Sequence, residues 1–228
     1  MGFIAESGDW LEVSRTQFIY ICGADGTGKS TQAQLLIDYY RKQSTRCKHL
    51  WLRFPFFLSL PFLFYARWRG NSWHEVTNGV DHGYWDFQRP WLMRFVFPYC
   101  LFIDAAVASI FKIYLPLRLG YTIVCERFVI DMMVDLTIST GDIPYHTDKF
   151  DRFLKLIPRE AVIIGLAAPI SVVTKRRPDL KYDRNLGDRL SVYETLITRF
   201  GYTIIETTDR KEETHQLILK LIQEISIN

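Results

Sequence analysis

The sequence predicts a three-layer α/β/α fold built on a five-stranded parallel sheet, and two observations carry this. Short apolar runs rich in β-branched and aromatic residues alternate with stretches of helical periodicity, the pattern of strands joined by crossover helices. The runs are also apolar almost throughout, as strands covered on both faces must be.

The expected strands are Gln17–Cys22, His49–Phe54, Tyr121–Cys125, Ala161–Leu166 and Tyr202–Glu206. Between and after them the helical period predicts Lys29–Lys42, Arg89–Leu119, Asp131–Ser139, Asp148–Leu156, Ile170–Arg176, Asp188–Phe200 and Glu212–Ile225. Gly120 stands where the longest helix must stop before the third strand, a common place for a C-terminal glycine. No repeat or interdomain linker interrupts the 228 residues, a length that supports one substantial core. The chain therefore reads as one domain, 16–228, behind an N-terminal extension, 1–15.

Composition narrows the function classes. A net charge of +3 with no Lys/Arg run makes no case for nucleic acid. The four cysteines form no CxxC pair, which fits a reducing, cytoplasmic interior better than a disulfide framework. His74, His82 and His146 lack ligand spacing, so no metal is assigned to them. Met1–Ser14 has no basic leader region and carries Glu6, Asp9 and Glu12, unlike a signal peptide. A spanning helix needs about 20 consecutive apolar residues. Phe54–Ala66 is too short and holds Pro55 and Pro61, and Phe95–Leu117 is interrupted by Asp104 and Lys112. The expectation is a protein without a membrane partner.

The chemistry starts at Gly23-Ala24-Asp25-Gly26-Thr27-Gly28-Lys29-Ser30, which matches G-x-x-x-x-G-K-[ST] with a strand before it and a helix after it. Such a loop wraps backbone N–H groups around phosphate oxygens, which demands positive φ and bare backbone. The helix start at Ser30-Thr31 adds a dipole favourable to anions. Lys29 is expected to bridge the β- and γ-phosphates of ATP, and the Ser30 hydroxyl to ligate Mg²⁺. A second element, Glu126-Arg127, follows an apolar strand. Glu126 is placed to orient the metal and Arg127 to neutralise charge during transfer. A third, Lys175 to Arg184, carries five cations and reads as a lid, about 176–188, that closes on the triphosphate.

These motifs resemble the P-loop nucleoside-monophosphate kinases, and among them the thymidylate kinases. The resemblance covers roughly Gln17 to Asp209 and is strongest at Asp25–Gln32 and Arg53-Phe54-Pro55. It implies that Asp25 contacts the acceptor sugar, that Arg53 and Arg127 hold the acceptor phosphate, and that Arg176, Arg177 and Arg184 are catalytic lid arginines. Counting back from Glu126 puts Phe102 where the family stacks a phenylalanine on thymine. Ala106 stands where the family has a base-reading arginine, and Asp104 is the nearest polar substitute. The resemblance further implies ATP and Mg²⁺ as cofactors, dTMP as acceptor, and a homodimer through Arg89–Leu119.

Two other readings fit the same residues. Glu126-Arg127, in place of Asp-Arg, is also similar to deoxynucleoside kinases, where the glutamate would be a general base. The aromatic segment Trp51–Phe111 fits a non-catalytic or membrane-associated nucleotide-binding protein. Asp131 and Asp135 lie one turn apart, with Asp131 expected to cap its helix. Trp85–Trp91 is expected to form a substrate wall or an interface.

Overall fold

β1 (Phe18–Cys22) is apolar on both faces because it lies at the middle of a five-stranded sheet. The computed structural model describes residues 17–53, 57–142 and 148–227; the expected extension 1–15, Phe54-Pro55 and His146 lie outside them. The other strands of the sheet are β2 (Cys47–Trp51), β5 (Thr122–Glu126), β6 (Val162–Ala167) and β7 (Thr203–Glu206). Their order is β2-β5-β1-β6-β7, parallel throughout.

Alternation along β1 divides the interior. Phe18, Tyr20 and Cys22 belong to a core with Ile123, Cys125 and Ile163, and Ile19 and Ile21 to one with Val124, Val162 and Ile164. The first core is closed by α3 (Leu92–Arg118), α4 (Val129–Thr140) and α7 (Leu186–Arg199). The second is closed by α1 (Lys29–Lys42) and α8 (Lys211–Ile227). Helix α5 (Asp148–Leu154) packs beside α4. Helix α6 (Ile170–Arg176) and a 3₁₀ turn, Pro178–Tyr182, form the segment before α7.

Two elements depart from the expected set. Helix α2 (Leu60–Trp68) lies in the aromatic segment, where the sequence predicts no element, and β3 (Ser72–Thr77) pairs with β4 (Val80–Trp85) as a separate antiparallel hairpin. Asn78 and Gly79 both have positive φ, 52° and 79°, as the two-residue turn of a twisted hairpin requires. Strand β2 starts earlier than its apolar run because it is an edge strand, with Lys48 and His49 exposed. Helix α3 is long and apolar enough to cross a membrane, yet Phe97, Leu101, Ala105 and Ile113 tie it into the first core. It contains two π-helical turns, Leu92–Val96 and Ile110–Tyr114, each followed closely by a proline, Pro98 or Pro116. Proline offers no N–H to the i−4 carbonyl, and a wider turn absorbs the mismatch. Gly120, at φ 81°, ends the helix, with Tyr121 N–H donating to the Pro116 carbonyl at 3.0 Å.

Candidate active site

The turn from β1 into α1 is fastened through one carbonyl. Ala24 O accepts from Thr27 Oγ1 at 2.8 Å and Lys29 Nζ at 2.6 Å. Gly23 and Gly26 are bare because protein crowds them. A Cβ on Gly23 would meet Leu166 O at 2.3 Å, and one on Gly26 would meet Val173 Cγ1 at 2.9 Å. Gly28 differs. Its φ is 95°, and a Cβ there would meet no protein atom within 4 Å.

That open space lies at the start of α1, whose first cap bond runs from Gln32 N–H to the Gly28 carbonyl, 3.0 Å. The N–H groups before Gln32 have no helical carbonyl to donate to and face outward with the positive end of the dipole. Ser30 and Thr31 are exposed here. A polyphosphate fits this cradle by shape and charge. Among the described residues, no cluster of three or more His, Cys, Asp or Glu side chains could hold a metal alone. Mg²⁺ at this place would combine the Ser30 hydroxyl with phosphate oxygens, the habit of that ion.

Lys29 is 5% exposed. Burial lowers its pKa from 10.5 to about 8; Asp131 and Glu126 oppose the shift, while Arg53 adds to it. Asp25 Oδ1 lies 3.8 Å from the Lys29 ammonium. Glu126 ends β5 beside it and is buried, with Oε1 3.1 Å from His49 Nε2.

Arg127 adopts a left-handed φ of 65°, an uncommon conformation for a residue with a side chain. Its carbonyl accepts from Leu52 N–H at 3.0 Å. Its guanidinium pairs with Asp25 and lies 3.6 Å from Asp131. Asp131 is fully buried and accepts from Tyr20 OH (2.7 Å), Tyr193 OH (2.6 Å) and Phe128 N–H (3.0 Å). It thereby satisfies a free donor at the start of α4. Burial pushes the Tyr20 and Tyr193 hydroxyls well above their usual range, and Asp131 adds to this.

Beyond these groups opens a cavity of ≈ 380 Å³, a size suited to a small organic ligand. Arg53, Asp135 and Arg189 supply charge on its walls, and Phe87, Phe97, Leu101 and Met132 supply apolar surface. The β3–β4 hairpin contributes Asp81 to Trp85, and the segment after the 3₁₀ turn contributes Asp183 and Asn185. Arg53 is held by Asp135 through two bonds, each 2.6 Å. Burial disfavours the Arg53 charge, but the bonds from Asp135 outweigh it and hold the pKa above its ordinary value.

Two acceptor-side expectations need correction. Phe102 does not line the cavity. Its ring packs edge-on against Phe153, 5.5 Å between centroids. The aromatic that α3 does present there is Phe97. Asp104 is buried and accepts from Phe57 N–H (2.9 Å), Leu58 N–H (2.8 Å), Ser59 N–H (2.8 Å) and Ser59 Oγ (2.6 Å). Burial alone would raise its pKa; these bonds outweigh it and hold the carboxyl below the usual range. Asp104 fixes the start of α2 to α3, with four donors on its carboxylate.

The three arginines expected to act from a lid are each engaged with protein groups. Arg176 donates to Thr207 Oγ1 (2.9 Å) and the Thr208 carbonyl (2.6 Å), tying α6 to the loop after β7. Arg177 forks onto Asp179 within the lid, 2.9 and 2.7 Å. Arg184 Nε lies 2.9 Å from Glu75 Oε2 on the hairpin. Helix α6, the 3₁₀ turn and the start of α7 share a small core in Ala168, Val173, Leu180 and Leu186, and Val173 and Leu180 sit directly over Gly26.

The hairpin, with Tyr84 and His82, is what reading the sequence missed. Its signal was present: Asn78-Gly79 flanked by alternating side chains is a strong local mark of a hairpin.

No protein-family model and no curated protein matches this chain. Solved structures do match. Thymidylate kinase from Candida albicans superposes with a TM-score of 0.60 at 16% identity, covering 92% of each chain. Thymidylate kinase from Ehrlichia chaffeensis gives 0.55 at 14% identity, covering 92% of this chain and 99% of that one. With its parallel five-stranded sheet and helices on both faces, this chain has the thymidylate kinase-like P-loop fold.

Proposed function

We propose that the protein is a nucleotide kinase that transfers the γ-phosphoryl group of ATP to a nucleoside monophosphate, with dTMP as the preferred acceptor. The observation that carries this is the meeting of two sites through Arg127: its guanidinium pairs with Asp25 of the phosphate cradle, and its carbonyl accepts at 3.0 Å from Leu52 N–H, next to Arg53 on the cavity wall. An anionic donor at Gly23–Thr31 and an acceptor in the cavity would then face each other. The likeness of fold to thymidylate kinases adds support.

In this reading an oxygen of the acceptor monophosphate attacks the γ-phosphorus in line. The bond from that phosphorus to the β,γ-bridging oxygen breaks, and ADP leaves with the electron pair. The attacking oxygen is already ionised, so no general base is required. Positioning and neutralisation of charge supply the rate. Lys29, the loop N–H groups and, on lid closure, Arg176, Arg177 and Arg184 would oppose the developing charge. Arg53 and Arg127 would hold the acceptor phosphate, and Asp25 the sugar. Ser30 and Glu126 would hold Mg²⁺, whose charge would screen the phosphates. Phe97 and Leu101 would flank the base.

A second reading draws on a specific contact. Arg53 is already neutralised by Asp135, which suits an uncharged hydroxyl acceptor with Glu126 as general base. The test is an acceptor screen with Mg-ATP, reading ADP release for each nucleoside and nucleoside monophosphate. Selective turnover of dTMP supports the first reading. Turnover of nucleosides alone replaces it with the second.

A second copy of the chain is the partner we propose for the outer side of α3. There Phe95, Tyr99, Ile103, Val107 and Phe111 are exposed at four-residue intervals. Sedimentation of the protein against Val107→Asp tests this, with a shift from dimer to monomer expected and a monomeric wild type overturning it.

A further inference from the structure

Among the described residues, β3 and β4 pair as strands with each other alone. The hairpin also touches α2, where Arg67 approaches His74 (3.5 Å) and the Trp85 ring, and two further sets of contacts run to the core and to the lid. Toward the core, Phe87 N–H, just after β4, donates to the Ser139 carbonyl on α4 at 2.8 Å. Toward the lid, three side chains reach across, Tyr84, His82 and Glu75, and Trp73 braces two of them from within the hairpin. Arg184 N–H donates to Tyr84 OH at 3.1 Å, and that hydroxyl is 3.5 Å from both the Tyr182 carbonyl and Asp183 Oδ1. His82 Nε2–H donates to the Asp179 carbonyl at 3.1 Å. Glu75 takes Arg184 Nε on one oxygen, 2.9 Å, and Trp73 Nε1–H on the other, 3.3 Å. The ring of Trp73 stacks on Tyr84, 5.8 Å between centroids.

Tyr84 and His82 also line the cavity. The same strand therefore forms a wall of the cavity and grips the segment that carries Arg184. Tyr84 is 4% exposed. Separating its hydroxyl from the Arg184 N–H would cost this buried tyrosine a hydrogen bond. The hairpin and the lid must shift together or break these bonds.

We propose that the hairpin is an acceptor-sensing latch and that Tyr84 is a positioning residue for Arg184, so that filling the cavity and fixing the lid arginine are one coupled event. This rests on the reading of the cavity as the acceptor site and Arg184 as a lid arginine. Ligand that presses on Tyr84 changes the position of the Arg184 backbone directly, and Glu75 carries the same displacement to the guanidinium. The Glu75–Arg184 pair is exposed on the arginine side and contributes little by itself. The buried hydroxyl of Tyr84 is the stronger link.

The test has two arms. In the first, hydrogen exchange of the hairpin amides is followed as the β,γ-imido analogue of ATP with Mg²⁺ saturates the wild type. The analogue binds at the loop and lid, so slowed exchange across Ser72–Trp85 reports the coupling. Tyr84→Phe should abolish that slowing and Glu75→Ala should reduce it. In the second arm, Tyr84→Phe should lower kcat for transfer by about tenfold while the KM for ATP stays within about twofold, as a defect expressed only in the closed state does. Hairpin exchange indifferent to the analogue, or slowed equally in Tyr84→Phe, overturns the latch. A wild type that phosphorylates no acceptor overturns the functional reading instead, and the exchange arm then decides the latch alone.

Discussion

Arg53 and Asp135 form a two-pronged ion pair on the cavity wall, with both nitrogen–oxygen distances at 2.6 Å. Neither side chain is fully buried, at 17% and 22% exposure. The pair is therefore open to exchange, and an acceptor phosphate can compete with Asp135 for the same fork of donors. Arg53→Ala should raise the KM for a nucleoside monophosphate by roughly 10- to 100-fold, the loss of a charge-assisted pair, and leave the KM for ATP nearly unchanged. Asp135→Asn should instead tighten binding of the anionic acceptor and leave a neutral nucleoside unaffected. Steady-state kinetics with paired nucleoside and nucleotide acceptors reads both. An Arg53→Ala enzyme with unaltered acceptor KM removes Arg53 from the acceptor site.

Lys29 gives a pH signature with a defined sign. Its pKa in the folded protein is lowered to about 8 from 10.5, chiefly by burial. The unfolded chain thus holds this proton more tightly. The lysine weakens the fold fully below pH 8, and the penalty fades as pH rises from about 8 to 10.5. Lys29→Met should be more stable than wild type at pH 7, with the advantage shrinking across that window. Phosphate binding favours the charged lysine. Affinity for ATP should therefore fall above pH 8, by up to about tenfold per unit, with proton uptake on binding. Calorimetry at pH 7.0 and 9.0 in buffers of different ionisation enthalpy measures this. Equal affinity at both values would mean that Lys29 does not meet the phosphates.

The donor half of the candidate site was legible because its determinants are local. Gly23 to Ser30 is one unbroken stretch between a strand and a helix, and each glycine answers to its own backbone angle or nearest neighbour. The strands of the sheet were legible for a similar reason, since burial on both faces writes an uninterrupted apolar run. The acceptor half depends on register across long distances. Phe102 was placed by counting back from Glu126 as if the intervening helix were regular. The π turn Ile110–Tyr114 lies between them. One extra residue in a turn rotates the preceding face by about 100°. Phe102 consequently turns to Phe153, and Leu101 and Phe97 face the cavity. The hairpin was hidden for another reason. Its exposed aromatic residues, Trp73 among them, merge with the aromatic segment Trp51–Phe111 and mask the turn at Asn78-Gly79.

The glycines of the loop separate folding from binding. Gly23→Ala would drive a methyl group into the Leu166 carbonyl, 2.3 Å away. Backbone cannot yield there, so this variant should be severely destabilised. Gly28→Ala meets no protein atom, and its cost is that of a side chain at φ 95°, on the order of 1 kcal/mol. It should remain folded. Its methyl group would occupy the open cradle, so ATP affinity should fall by roughly 100-fold or more, the cost of unpaired phosphate donors. Thermal unfolding beside nucleotide titration distinguishes the two. A folded Gly28→Ala with wild-type affinity would show that phosphate lies elsewhere.

Asp104 offers a test of architecture against recognition. Four donors from Phe57 to Ser59 converge on its carboxylate, which joins the start of α2 to α3. Removing it in Asp104→Ala leaves three backbone N–H groups and a hydroxyl short of partners, at a cost of about 2–3 kcal/mol. Because the folded carboxyl is held below its usual pKa, its contribution is complete above about pH 4 and disappears as acid protonates it. The stability gap between wild type and Asp104→Ala should therefore be widest near neutrality and close toward pH 2. Denaturant melts across that range measure it. Acceptor KM, measured on the folded fraction at low temperature, should stay within about threefold, since helix α2 reaches the cavity only through Leu63. A variant with unchanged stability and a collapsed acceptor KM would reverse the assignment and return Asp104 to the acceptor site.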